Sequence, residues 1–258
     1  CVPSLDEADD DLVKVNETLR GGMSQSVGYP SSWRHLINQV RSAPSKIFWE
    51  VFAGCAILTS MFTEEGWCCG PPIDILIDPS FDVLNPAFMG VLLGLIFEGL
   101  IALLHVGPSC SSFSWAVNRF RKYAMRSVNC PAGFWNLPPH RAEKVRLGNA
   151  LAVVALKLCK AQEKVKGYWQ WEQPKDCLMF ALPEIKAFVY RMGVFLAEIF
   201  VCAYGAPWAK PTWVFANSAL ILAVSRKCPG CASHIPLVGY APCGRNWTAI
   251  AGPYWPGF

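Results

Sequence analysis

No uninterrupted apolar run in this sequence is long enough to cross a bilayer. The best candidate, residues 87–106, is broken at Glu98 and Gly99 and begins after Pro86. Its unbroken part falls short of the ~20 apolar residues a span needs. A buried helix followed by a buried strand is expected there, and no membrane partner. Charge is scarce too. Charged residues fill 16% of the 258 positions and apolar ones 53%, which excludes a solvated disordered chain and allows one large α/β domain. No secretory signal is recognisable, and Cys68 and Cys69 are adjacent, an unsuitable pair of structural half-cystines. Twelve cysteines in a chain this long therefore suggest a reducing compartment, nuclear or cytoplasmic, and not a disulfide scaffold. Because the first residue is Cys1, a fragment or processed piece is expected.

Lys and Arg are missing from residues 1–12, which hold Asp6, Glu7, Asp9, Asp10 and Asp11. Setting those five acids aside raises the net charge from +4 to +9. A basic body with an acidic tail suits a polyanionic partner.

Residues 1–44 are polar and read as a mostly flexible leader with one short helix near 33–41. Residues 45–258 form the main domain, with 217–258 as a small C-terminal lobe. Strands are expected at 47–52, 72–78, 100–106, 168–172, 201–204 and 212–216, and helices at 57–65, 86–97, 139–166 and 183–200. This alternation predicts an α/β fold, a mainly parallel sheet flanked by helices. Ligands of such sheets sit at the carboxyl ends of the strands.

Three segments just after strands carry chemistry. Glu50-Val51-Phe52-Ala53-Gly54 runs from a strand into a turn where backbone can approach a ligand. Asp74, after the next strand, lies where a ribose hydroxyl could be bound. Gly107-Pro108-Ser109-Cys110-Ser111-Ser112-Phe113-Ser114 puts Cys110 on a sheet-end loop. The Arg119, Arg121, Lys122 and Arg126 that follow would favour a thiolate and could grip phosphates. Trp171-Glu172-Gln173-Pro174 sets a partly desolvated carboxyl after a strand of large aromatics, suited to sharing a proton with a heterocycle nitrogen.

In this order the three segments resemble the cytosine-5 DNA methyltransferase family. The family's pattern is Phe-x-Gly for the cofactor, Pro-Cys for the nucleophile and Glu-Asn-Val for the base. The later Tyr204-Gly205-x-Pro207-x-x-Lys210-Pro211-Thr212 resembles the family too, and the match covers residues 47–217. The wording is most similar to methyltransferase-like domains of retroelement and phage proteins. The resemblance implies a Rossmann-like methyltransferase fold, with S-adenosylmethionine held by Glu50, Phe52, Ala53, Gly54, Asp74, Asp82 and Pro108. It implies Cys110 as nucleophile and Glu172 at the base. It also implies DNA contacts from Ser112, Phe113, Ser114, Arg119, Arg121, Lys122, Arg126, Lys210 and Thr212. Ser109, Ser111, Ala56, Gln173 and Trp213 depart from the family's usual Pro, Gln, Gly, Asn and Arg. The helix between the family's second and third strands, its long recognition insert and its C-terminal Gly-Asn-x-Val helix are missing. Two alternatives stay open: a nucleic-acid-binding remnant of a retroelement polyprotein without turnover, and an RNA cytosine-5 methyltransferase.

A fourth cluster lies near the end. Cys228, Cys231, His234 and Cys243 are spaced Cys-x2-Cys-x2-His-x8-Cys, a ligand set able to hold a structural zinc ion. Such an ion would compensate for a lobe without its own core.

Overall fold

A computed structural model describes residues 28–252. The acidic stretch and most of the expected leader lie outside the described residues. What is described begins with helix α1 (Ser31–Arg41), whose Trp33, Leu36, Ile37 and Val40 recur at helical spacing and are all buried. The order continues β1 (Ile47–Val51), α2 (Ile57–Glu64), α3 (Pro86–Phe97), β2 (Ile101–Val106), α4 (Trp115–Asn118), α5 (Pro139–Lys164), β3 (Tyr168–Pro174), α6 (Pro183–Val189), β4 (Phe195–Phe200), β5 (Pro211–Ala216) and α7 (Trp247–Ile250).

The five strands form one sheet in the order β1-β2-β3-β5-β4. β1, β2 and β3 are parallel, and β5 runs antiparallel between β3 and β4, so it alone is reversed. Both faces of β1 are covered, and all five of its residues are buried. Ile47, Trp49 and Val51 join the main core with α1 and α3. Phe48 and Glu50 turn to α2, where Phe48 stacks on Phe62. α3 is apolar nearly all round, as befits a helix wedged inside a fold. Asn85 caps it, its side chain accepting from the amides of Ala87 and Phe88, and Pro86 starts it where no amide donor is needed.

Three expected elements differ. The strand at 72–78 is reduced to one bridge between Val51 and Ile73. Asp74 diverts the chain: its Oδ1 accepts from Leu76 N, and its carbonyl accepts from Ile77 N and Asp78 N. The helix expected over 183–200 stops at Val189. Gly193, at φ 82, then turns the chain into β4, where the apolar run gains a partner in β5. Val201–Tyr204 is a 3-10 turn and not a strand.

Left-handed backbone clusters after β1. Phe52, Gly54 and Ala56 have φ of 65, 54 and 55. Ala56 is also the residue that opens α2. An L side chain in this region costs about 1–2 kcal/mol, and glycine removes that cost while losing about 0.5–1 kcal/mol of its own to unfolded-state entropy. Ala56→Gly is therefore expected to raise stability by up to about 1 kcal/mol in urea denaturation. A lower midpoint would mean that the methyl group has packing worth more than the strain.

Candidate active site

Because β1, β2 and β3 are parallel and in register, their carboxyl ends arrive together. Glu50 pairs with His105 and His105 with Gln170, so the residues that follow these strands become neighbours. The cavity at these ends measures about 260 Å3 and is walled by Glu50, Phe52, Ala53 and Gly54, by His105 and Gly107, by Glu172, and by Arg245 and Gly252. The sequence motifs on three separate strands thus meet in one place.

Glu50, Asp74 and Asp82 each hold neighbouring chain in place. Glu50 is buried, and its Oε2 accepts from Thr59 N at 2.8 Å and Thr59 Oγ1 at 2.5 Å, which ties β1 to α2. Burial pushes its pKa up, against the pull of the Thr59 hydrogen bonds. Asp74 does not line the cavity. Its Oδ2 accepts from Gly54 N at 2.9 Å, so it braces the cofactor-type turn from behind. Asp82 is exposed, and its Oδ1 holds the turn before α3 by accepting from Leu84 N. Neither aspartate lines the cavity, and both accept from backbone amides of neighbouring turns.

The Cys110 loop is held from several sides. Gln173 donates from Nε2 to the Pro108 carbonyl at 2.6 Å. Asn118 Nδ2 donates to the Ser112 carbonyl, and the Phe113 and Ser114 amides both donate to the Cys110 carbonyl. Pro108 is buried in this arrangement and contributes its carbonyl, not a cofactor-facing surface. Ser114 caps α4 by accepting from Ala116 N.

Several residues expected on a DNA surface are interior. Arg126 is 1% exposed. Its guanidinium donates to the Pro131 and Val145 carbonyls, Asn149 Oδ1 and Ser112 Oγ, and lies 3.6 Å over the Phe113 ring. Desolvation lowers its pKa to about 10. Arg126, Ser112 and Phe113 are therefore corrected to a structural clamp, since a guanidinium so engaged has no face left for phosphate. Thr212 is buried as well, and its Oγ1 donates to the Lys210 carbonyl. Arg119, Arg121 and Lys122 are exposed, next to the half-exposed rings of Trp115, Phe120 and Tyr123. Arg119 lies 4.6 Å over Phe120, and Arg141 lies 5.7 Å over Tyr123.

The cation that acts on Cys110 is Lys210, not the basic run. Burial raises the Cys110 pKa, the Glu172 charge raises it further, and Lys210 opposes both. Cys110 thus rests as a thiol, contrary to the expected thiolate. Lys210 itself has a left-handed φ of 29, and its Nζ donates to the Gly252 carbonyl at 3.0 Å.

Sequence reasoning missed His105. The available signal was one imidazole in an otherwise apolar strand. A Cβ placed on Gly107 would lie 3.5 Å from His105 Nε2 and 3.6 Å from Glu172 Oε2, so these two atoms converge beside the cavity. On the far side of the ring the Gln170 amide lies 3.0 Å from Nδ1. The fourth cluster is also revised. Cys228, Cys231 and His234 come together with Cys202, while Cys243 is exposed and outside the group.

No family model and no curated protein matches this sequence. Among solved structures it is similar to a Dnmt2 methyltransferase of S. pombe, with a TM-score of 0.38 and 11% identity over 80% of this chain. The chain spans 62% of that protein's length. A likeness this distant adds nothing to the chemistry.

Burial lowers the His105 pKa to about 3. An unfolded histidine titrates near 6.5, so between these values the unfolded chain binds a proton that the folded one refuses. His105 therefore favours folding fully above about pH 6.5 and loses that contribution as pH falls towards 3. Between pH 6.5 and 5 the wild type should lose about 2 kcal/mol more stability than His105→Gln, measured by denaturant titration at each pH. Parallel curves for the two proteins would mean that His105 accepts a proton in the fold.

Proposed function

We propose that this domain transfers a methyl group from S-adenosylmethionine to C5 of cytosine in DNA through a covalent Cys110 adduct. One observation carries the reading: the turn after β1, Gly107 at the start of the Cys110 loop, and Glu172 at the end of β3 wall one cavity, and the Glu172 charge acts on the Cys110 thiol. A thiol and a carboxyl so placed can act together on one heterocycle. The turn at Phe52, Ala53 and Gly54, with Glu50 beneath it, offers the methyl donor an apolar wall and a carboxyl acceptor. When bound, the donor supplies an electrophilic methyl group on a sulfonium.

In this reading the Cys110 thiol gives up its proton to water, and the sulfur electron pair forms the bond to C6 of the cytosine. Glu172 holds the N3 edge and shares a proton there, which accommodates the electron pair pushed into the ring. C5 thereby becomes nucleophilic, and the donor, when bound beside Phe52, Ala53 and Gly54, would supply the methyl group to it. Loss of the C5 proton to water then breaks the C6–S bond, expels the thiolate and restores the ring. His105, beside Glu172, is a positioning residue for that carboxyl. The target base must leave the duplex stack. The exposed Arg119, Arg121 and Lys122 with Trp115, Phe120 and Tyr123 suit the opened strand, the cations for phosphates and the rings for bases.

One observation favours a domain that binds nucleic acid without turnover: Cys110 rests protonated. Trapping on DNA containing 5-fluorocytosine separates the two, because that base blocks the last step and leaves the adduct. The wild type should form a covalent species in the presence of the methyl donor, faster as pH rises through the thiol range, and Cys110→Ser should form none. Trapping on RNA alone would move the substrate to RNA, and an adduct through Cys55 or Cys130 would end the assignment.

The exposed cations give a separate expectation. Each phosphate contact on duplex DNA contributes about 0.9 to the slope of log affinity against log salt. Replacing Arg119 and Arg121 together with alanine should flatten that slope by about 2 and weaken binding alike for all sequences, read by fluorescence anisotropy over a salt series. An unchanged slope would put the binding surface elsewhere.

A further inference from the structure

Cys202, Cys228, Cys231 and His234 each bring one ligand atom to a common point, all four within 4.8 Å of one another. Cys228 Sγ and His234 Nε2 are 3.6 Å apart. Tetrahedral zinc with Zn–S near 2.3 Å and Zn–N near 2.05 Å sets an S···N edge of about 3.6 Å. The edge seen between these two residues is therefore the one that zinc needs.

The chain on either side is built to hold this geometry. Cys202 sits in the 3-10 turn directly after β4. Cys228 follows a short added pairing, in which Phe200 N donates to the Arg226 carbonyl at 2.9 Å and Arg226 N to the Glu198 carbonyl at 3.1 Å. The loop returns at Ile235, whose amide donates to the Pro207 carbonyl at 2.9 Å. So the segment bearing three ligands is tied at both ends to the segment bearing the fourth. Between Cys228 and Cys231, Gly230 takes a φ of 90, a left-handed turn that lets both sulfurs face the same point. The backbone amides of Cys231 and Gly230 are directed at the Cys228 sulfur.

The surroundings explain why an ion would be needed. Beyond β5 the described helices have at most six residues. Among the described residues beyond β5, Leu237, Trp247, Ile250 and Ala251 pack on a small cluster of Val201, Ala206 and Trp208, and Ile221 and Val224 on one of Ala197, Ile199 and Val214. Such a segment has too little apolar area to fix its own loops.

We propose that Cys202, Cys228, Cys231 and His234 bind one zinc ion as a closed structural site, with Cys202 and not Cys243 as the fourth ligand. Four protein ligands leave no open position, so the ion orders the chain and performs no chemistry of its own. The site is independent of the methyl-transfer reading and stands or falls separately from it.

The test is the metal content of the reduced chain, purified without chelator, by inductively coupled plasma mass spectrometry. It is followed by replacement with cobalt, whose visible spectrum reports tetrahedral thiolate ligation. Stoichiometric zinc and a tetrahedral cobalt spectrum are expected in the wild type and in Cys243→Ser. In Cys202→Ser, zinc should fall to trace amounts. His234→Cys should keep the ion with a spectrum shifted towards four sulfurs, which covers the case where Cys202→Ser does not fold. A metal-free wild type that gives no cobalt spectrum overturns the proposal. So does a Cys202–Cys228 disulfide found by mass spectrometry in the freshly isolated protein, or loss of zinc in Cys243→Ser.

Discussion

The hydrogen bond from Gln173 Nε2 to the Pro108 carbonyl, 2.6 Å long and wholly buried, joins the two strands that carry the candidate chemistry. Parallel pairing brings the ends of β2 and β3 to one edge, but it does not decide where the loop after β2 goes next. Gln173 decides it. It follows Glu172 on β3, so its side chain points to the opposite face of the sheet, among the core tryptophans. From there it reaches under the edge and fixes the start of the Cys110 loop. Its Oε1 accepts from Cys177 Sγ at 3.2 Å, which satisfies the amide's other end. A buried amide with both ends engaged rigidifies more than its net free energy suggests, because leaving either partner unsatisfied costs about 1–3 kcal/mol.

Arg126 extends the same constraint from the other end of the loop. Moving a guanidinium into the interior is costly unless its donors are met and its charge is spread. Here two carbonyls, an amide oxygen, a hydroxyl and an aromatic face share it. Gly148 on α5 makes this possible, since a Cβ there would come within 2.5 Å of Ser112 Oγ and 3.1 Å of Arg126 Nη2. The long helix is thus shaped around the clamp. The basic segment is consequently divided, with its last arginine locked inward and Arg119, Arg121 and Lys122 left outside. Arg126 Nε has no partner among the described residues, so even this clamp is not fully satisfied.

That division marks the limit of what the sequence could disclose. Strands flanked by glycine and proline, and helices opened by Pro86, Pro139 and Pro183, were legible because they depend on local chemistry. That Gly54, Gly107 and Glu172 come to one cavity was legible because a parallel sheet brings successive strand ends to one edge. The direction of a side chain was not. Arg126 and Arg119 look alike in sequence, and only the packing of α5 over the loop separates them. Asp74 had the spacing of a ribose ligand, yet the residue after a strand can as readily hold the neighbouring turn, and here Gly54 N takes its oxygen. Cys202 escaped notice as a ligand because it lies far from Cys228 in sequence, where spacing patterns do not reach. Ile75, Leu76 and Ile77 resembled a buried strand and are exposed. Their apolar character is not explained by anything they touch.

The C-terminal segment does more than complete the chain. A sheet of this kind leaves its carboxyl edge open to water, and charge developing on a ring is better stabilised where water is excluded and fixed dipoles replace it. Arg245 and Gly252 close part of that edge, and Lys210 reaches Gly252 while its charge acts on Cys110. Lys210 lies between Cys202 and β5, in a loop held closed where Val201 N donates to the Ala209 carbonyl. The loop that carries Cys202 therefore also carries the cation that acts on Cys110. Burial and the Glu172 charge together keep the Cys110 thiol protonated, and Lys210 is the opposing charge. In the proposed reaction, a base sharing a proton with Glu172 would offset the carboxylate repulsion that Lys210 opposes. The thiol would then be easiest to ionise when the base is in place, and hardest when the cavity holds only water.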